Sequence, residues 1–182
     1  MSKNIDTEEQ QRIGRILDGR SEEYAYFVRT YSRQVLDFVS RLINDAGDTE
    51  ELAQDAFVRA YRSLSQFDGR SSWITWALRI AYHTTMNHLK RRQLRWLNID
   101  DLPLSDTIDD DLNTDSEERI QLMETAIDTL PPNEQMLLHL YYYDDRPLKD
   151  IAYIMDAEPS VLATRLHRIR KKLLLIMKEN EQ

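Results

Sequence analysis

The chain has no cysteine among its 182 residues. That excludes a disulfide framework, a thiolate zinc site and a cysteine nucleophile, and it is the usage of a reducing compartment. No apolar run reaches the ~18 residues a membrane-spanning helix needs, so no membrane association is expected. The N-terminal stretch Met1–Gln11 is polar and carries Asp6, Glu8 and Glu9. It does not read as a signal peptide, and a cytoplasmic location is expected. Glycine is scarce: Gly14, Gly19, Gly47 and Gly69 all precede residue 70. Proline is absent until Pro103, followed by Pro131, Pro132, Pro147 and Pro159. No internal repeat and no alternating strand pattern stands out, and apolar periods near 3.6 dominate. The fold class expected is all-α.

The composition, 41% hydrophobic and 31% charged, allows a core, and two small cores suit it better than one large one. The net charge of −8 argues at first against a nucleic-acid partner, but that average hides a segregation. Residues 1–98 hold 15 Lys and Arg against 13 Asp and Glu, and residues 119–182 hold 9 against 10. Between them, residues 99–118 carry 9 acids and no base. The stretch from Ile99 to Asp115 is too poor in large apolar residues to offset ordering entropy, and it reads as an extended linker. The domains expected are an N-terminal extension at 1–19, a helical domain at 20–95, an acidic linker at 96–116 and a second helical domain at 117–182.

Within the first domain, Phe27, Tyr31, Val35, Phe38, Val39 and Leu42 form one apolar stripe, closed by a turn at Asn44–Asp48 with Gly47. A second stripe, Leu52, Ala56, Phe57, Ala60, Tyr61 and Leu64, begins on Asp48-Thr49-Glu50-Glu51, acids that the macrodipole favours in a first turn. Phe67-Asp68-Gly69-Arg70-Ser71-Ser72 reads as a loop. Trp73, Trp76, Ala77, Ile80, Ala81 and Thr84 then mark a helix to about Arg92. A weaker short helix is expected at Thr7–Leu17. In the second domain, helices are expected at Ser116–Leu130, from Pro131-Pro132 to about Tyr143, at Pro147–Met155 and at Ser160–Lys178. Leu162, Leu166, Ile169, Leu173 and Ile176 space the last one. A short helix, a tight turn and a longer basic helix form a helix-turn-helix.

Three sites carry chemistry. No acid lies between Pro159 and Met177, whereas Arg165, Arg168, Arg170, Lys171 and Lys172 fall within eight residues. Such a helix neutralises phosphates, and its first turns can reach base edges in the major groove. In the second site, aromatic Phe67 and Trp73 flank a polar loop, followed by Arg79, His83, Asn87, Lys90, Arg91 and Arg92. Aromatic faces stack on unpaired bases while amide and imidazole groups read their edges. Trp76 reads as core, and Trp73 reads equally as core or as a base contact. The third site, Asp48, Glu50, Glu51 and Asp55, is either a solvated helix start or a docking face for a protein. His83 and His88, five apart, share no helical face, and no zinc site or other metal is expected. Asp109, Asp110 and Asp111 sit in the linker without a helper base, so an enzyme is disfavoured.

Two stretches carry a family resemblance: DTEELAQDAFVRAYRSLSQFDGRSSWITWALRIAYHTTMNHLKRR at 48–92 and LPPNEQMLLHLYYYDDRPLKDIAYIMDAEPSVLATRLHRIRKKL at 130–173. They resemble the extracytoplasmic-function group of sigma-70-type transcription factors, as sigma region 2-like and region 4-like domains. The resemblance implies a sigma factor that binds core RNA polymerase and opens promoter DNA without catalysing a covalent step and without a cofactor. It implies that Asp48, Glu50, Glu51, Gln54 and Asp55 dock on the clamp helices of the largest subunit, with a further contact to the polymerase flap. By the same resemblance, Phe67, Gly69, Arg70, Ser71, Ser72 and Trp73 hold an extruded base of the −10 element, and Arg79, His83, Asn87, Lys90 and Arg91 line the adjoining helix. The acidic linker would thread the polymerase channels. Ser160, Thr164, Arg165, His167, Arg168, Arg170 and Lys171 would meet the −35 element, and an anti-sigma factor or other recruiting protein is expected as regulator.

The second stretch departs from the family. Its turn, Met155-Asp156-Ala157-Glu158-Pro159, lacks the usual glycine, and Asp156 is expected to take the left-handed conformation instead. Val161 and Ala163 stand where the family carries threonine and lysine. They donate no hydrogen bond and can only touch a thymine methyl, so weak or partner-assisted −35 reading is expected. The rivals are a conventional helix-turn-helix regulator, which leaves 67–92 unexplained, and a protein-binding adaptor or anti-sigma-like protein.

Overall fold

The computed structural model describes residues 7–93 and 116–180. Among them there are helices and turns and no strand. The linker at 96–115 lies outside the described residues, so neither its extended conformation nor its aspartates enter the architecture below.

Helix α1 (Thr7–Leu17) is followed by a 3-10 turn at Ser21–Tyr24, then by α2 (Ala25–Ser40) and α3 (Ala46–Arg62). A second 3-10 turn, Leu64–Gln66, leads through the 67–72 loop into α4 (Trp73–Gln93). The second half comprises α5 (Ser116–Asp128), α6 (Pro132–Leu138), a π turn at His139–Tyr143, α7 (Leu148–Met155) and α8 (Pro159–Asn180). The expected helix from Pro131 to Tyr143 is thus α-helical only to Leu138.

Three helices begin where the sequence satisfies, or dispenses with, a free N–H group. Asp45 caps α3, its Oδ1 accepting from the Asp48 N–H at 2.9 Å. Ser72 caps α4, its Oγ accepting from the Thr75 N–H at 3.3 Å and lying 2.8 Å from the Thr75 hydroxyl. Pro132 opens α6, where a missing N–H costs nothing. Asp156 ends α7 with φ 55° and ψ 53°. It takes the left-handed seat usual for glycine, and the Ala157 N–H closes back on the Ala152 carbonyl at 3.0 Å.

The expectation of two separate cores is corrected by the packing. One buried cluster runs through both halves, from Val35, Leu52, Leu78 and Tyr82 into Leu137, Ile151, Ile154 and Leu162. It is continuous because α4 lies against α7. Burial of such a side chain contributes about 1.5–3 kcal/mol, so a shared cluster couples the two halves. The second cluster gathers Ile13 and Ile16 of α1 with Phe27, Ala60, Leu64, Trp73 and Trp76. Helix α1, read as an extension, is therefore part of the first domain's packing. Arg12 ties it down, reaching Glu23 at 2.6 Å and lying over the Tyr26 ring, while Glu8 on the same helix holds the guanidinium from the other side.

Candidate nucleic-acid and polymerase interface

The 67–72 loop turns on Gly69, whose φ of 71° is open to glycine and costly for other residues. Asp68 braces the turn: its Oδ1 accepts from the Arg70 N–H at 3.0 Å, and its other oxygen accepts from the Arg70 guanidinium. The backbone bond first, and the guanidinium second, hold the Asp68 carboxyl below its ordinary range. Arg70 itself is 86% exposed, and Ser71 and Ser72 are half-buried. Phe67 is half-buried with its ring 5.3 Å from that of Trp76.

Trp73 corrects the base-contact reading. Its side chain is wholly buried, 4.4 Å from the Phe27 ring and 5.4 Å from that of Tyr31. It cannot stack on a base without unpacking this aromatic cluster, and it supports the loop from beneath. Ser72 also spends its hydroxyl on the helix cap rather than presenting it outward.

Arg79, His83 and Asn87 follow the loop at intervals of four on α4, with Lys90 and Arg91 at the exposed end. Spacing of four puts them on one face. That face is partly covered. The Arg79 Nη1 donates to the Tyr153 carbonyl and Nη2 to Asp156 Oδ1, both at 2.6 Å, and the guanidinium lies over the Tyr153 ring. His83 is half-buried in the same seam. Burial lowers its pKa, nearby Arg79 and Lys90 lower it further, and Asp156 opposes them. A second ion pair between the halves joins Arg41 to Asp144 at 2.8 Å. Beside it a cleft of about 850 Å³ opens between α2, the 67–72 loop and residues 144–150.

On α3, Glu50, Glu51 and Gln54 are exposed and share one face. Asp55 pairs with Arg59 at 2.7 Å. Asp48 departs from this face: it is turned toward the end of α4, bonded to Arg92 and 3.5 Å from His88. Tyr61, read as core, is 41% exposed, and Val58 is 45% exposed. By helical position both belong beside Glu50 and Gln54. Their spacing of four and seven from Gln54 was the available signal.

On α8, Leu162, Leu166, Ile169 and Leu173 are buried, so Ser160, Thr164, Arg165, His167 and Arg168 face outward. The Arg170 Nε donates to the Tyr142 hydroxyl at 2.6 Å. Lys172 lies 3.6 Å from Glu134. From Ser160 to Lys178 the helix carries bases and no acid, so its outward face there is cationic. Among the described residues, no group of three histidine or acidic side chains is placed to hold a metal, and no helix is long and apolar enough to cross a membrane.

Comparison with known proteins matches both halves. The family descriptions "Sigma-70 region 2" and "Sigma-70, region 4" fit residues 27–95 and 120–173 respectively. The chain is 28% identical over 183 residues to the RNA polymerase sigma-H factor of Pseudomonas aeruginosa, covering 91% of this chain and 92% of that one. It is 28% identical over 176 residues to the ECF RNA polymerase sigma-E factor of Escherichia coli, with the same coverage. The fold is shared with the sigma factor RpoE, solved with the anti-sigma factor NepR from Bartonella quintana: TM-score 0.61, 16% identity, 86% of this chain and 98% of that one. It is shared equally with CnrH, solved with the cytosolic domain of CnrY: TM-score 0.61, 15% identity, 92% and 96% covered.

Proposed function

Since the chain belongs to the sigma-70 family of RNA polymerase sigma factors, in its extracytoplasmic-function group, it binds core polymerase and directs it to promoter DNA, and we propose how its residues divide that work. The conventional helix-turn-helix regulator and the adaptor are both disfavoured, because the first half is matched across residues 27–95 as sigma region 2.

We assign residues 20–95 to polymerase docking and −10 binding, and 117–182 to the −35 element. The exposed Glu50, Glu51 and Gln54 form the acidic docking face, with Val58 and Tyr61 as its apolar margin. Phe67, Gly69, Arg70 and Ser71 shape the pocket for an extruded base, and Trp73 supports them from beneath. Binding the unpaired base offsets an unstacking cost of a few kcal/mol. Arg79, His83, Asn87, Lys90 and Arg91 meet the duplex upstream. Arg165, Arg168, Arg170 and Lys171 hold −35 phosphates. The observation that carries this reading is the single face of α4 that continues from the braced 67–72 loop. An anti-sigma or recruiting protein completes the partners, a role supported by the complexes in which the structural relatives were solved. A cytoplasmic location follows from the polymerase as partner.

In vitro transcription with core enzyme tests the assignment, on a duplex promoter and on the same template with a pre-melted −10 bubble. Arg70→Ala is expected to lose activity on the duplex and keep most of it on the bubble. Equal loss on both templates removes the loop from strand opening.

A further inference from the structure

The first inference rests on α8 as the −35 reader and concerns what it reads. With about 100° between successive residues, and Leu162, Leu166 and Ile169 facing the core, Thr164 stands near the centre of the outward face. Its hydroxyl donates to the Ser160 carbonyl at 3.0 Å. This back-bonding within the helix spends the hydroxyl's single proton, so the side chain offers a partner its methyl and an acceptor oxygen but no donor. Val161, one turn earlier, is 43% exposed, and Ala163 beside them is exposed too. Arg165 and Arg168 frame this apolar spot. Val161 is thus a large apolar side chain left in part to solvent at the start of a groove-reading helix.

We propose that the first turn of α8 reads thymine 5-methyl groups in the −35 major groove, with Val161 and the Thr164 methyl as the specificity-determining contacts. Arginine contacts to phosphate set position, and the methyl contacts set sequence.

The test uses holoenzyme formed from core polymerase and the full chain. Transcripts are selected from promoters randomised across the −35 segment, and a −10 bubble template is run in parallel. Thymine is expected to be enriched at one or two adjacent positions. Replacing those thymines by deoxyuridine is expected to weaken holoenzyme binding about fourfold per methyl, the worth of burying one such group. Val161→Ala is expected to shrink that difference. Initiation on the bubble template without thymine enrichment, or equal binding of thymine and deoxyuridine sites, overturns the inference and leaves the sigma assignment standing. Failure to initiate on either template removes both.

A separate observation carries a second inference. Arg79, assigned to duplex DNA, has its guanidinium taken by Asp156 and the Tyr153 carbonyl of the other half. Asp156 sits where a non-glycine residue adopts positive φ, at the turn of the helix-turn-helix. We infer that the Asp156 carboxylate holds the seat on Arg79 that a DNA phosphate takes, so that α7 and the upstream duplex exclude one another. The contact is an intramolecular latch on the −10 face.

Asp156→Gly suits the test because glycine accepts the left-handed turn and deletes only the carboxylate. Glu158→Gln removes an equal charge two residues away. The absence of cysteine permits a dye pair through Arg29→Cys and Glu124→Cys in the full chain. Asp156→Gly is expected to lower energy transfer and to tighten binding of a fork-junction promoter DNA roughly 1.5- to fivefold, the range of a solvent-accessible ion pair. Glu158→Gln is expected to change neither. Unchanged DNA affinity in Asp156→Gly, or an equal gain in Glu158→Gln, overturns the latch.

Discussion

Arg79 and Asp156 lie 77 residues apart, in different halves of the chain, and their side chains meet at 2.6 Å. The same guanidinium closes on the Tyr153 carbonyl, so α4 and α7 are joined by a charged pair as well as by apolar packing. One half's candidate DNA face is therefore partly covered by the other half's helix-turn-helix.

Trp73 is expected to act through stability. Trp73→Ala opens a cavity under the loop and is expected to cost about 3–5 kcal/mol, read as a lower denaturant midpoint. Trp73→Phe keeps most of the packing and is expected to recover most of the stability and of the duplex-promoter activity. A stable Trp73→Ala protein that has lost strand opening alone would return Trp73 to the role of a base contact.

Gly69 sets the path of the 67–72 loop. Gly69→Ala places a side chain at φ 71°, at a cost of about 1–2 kcal/mol. Initiation on duplex promoters is expected to fall while co-elution with core polymerase persists, because α3 is untouched. Gel filtration and transcription on paired templates check both parts.

The docking face is expected to fail under charge reversal. Glu50→Lys with Glu51→Lys changes two exposed side chains that no ion pair among the described residues holds in place, so the melting temperature is expected to move little. Co-elution with core polymerase is expected to be lost, and single-strand −10 oligonucleotide binding retained. Retained co-elution would move the interface elsewhere.

Acid is expected to loosen the seam between the halves. Burial depresses the pKa of His83, beside Arg79, Lys90 and Asp156, and of His139, beside Arg41, Asp144 and Asp128. Each histidine is harder to protonate folded than unfolded. The neutral forms therefore contribute stability that is complete above the ordinary histidine range near 6.5 and declines as pH falls through it toward the lower folded values. Urea midpoints between pH 7.5 and 5 are expected to fall, and His83→Gln with His139→Gln is expected to flatten the slope. An unchanged slope would assign the decline to carboxylates.

Helix positions were legible in the sequence because apolar spacing is a local property. The stripe from Phe27 to Leu42 and the stripe from Leu162 to Leu173 required only a periodicity. The 67–72 loop and the cationic helix were legible for the same reason: residue type and spacing carry their chemistry. Trp73 and Tyr61 were not. An aromatic at a helix boundary satisfies either a core or a surface, and the choice rests on whether Phe27, Tyr31 and Phe57 leave room. Asp48 was missed similarly, since nothing local says that Arg92 returns to it.

By itself, then, the order of residues determined two helical modules, the left-handed turn at Asp156 and the basic and acidic faces, because each depends on neighbours within a few turns. Tertiary structure alone decided that one apolar cluster runs through both modules, that Trp73 is core, and that Arg79 is held by Asp156. Those outcomes depend on which surfaces meet across long stretches of chain, where shape and charge must be satisfied together and no local pattern records the partner.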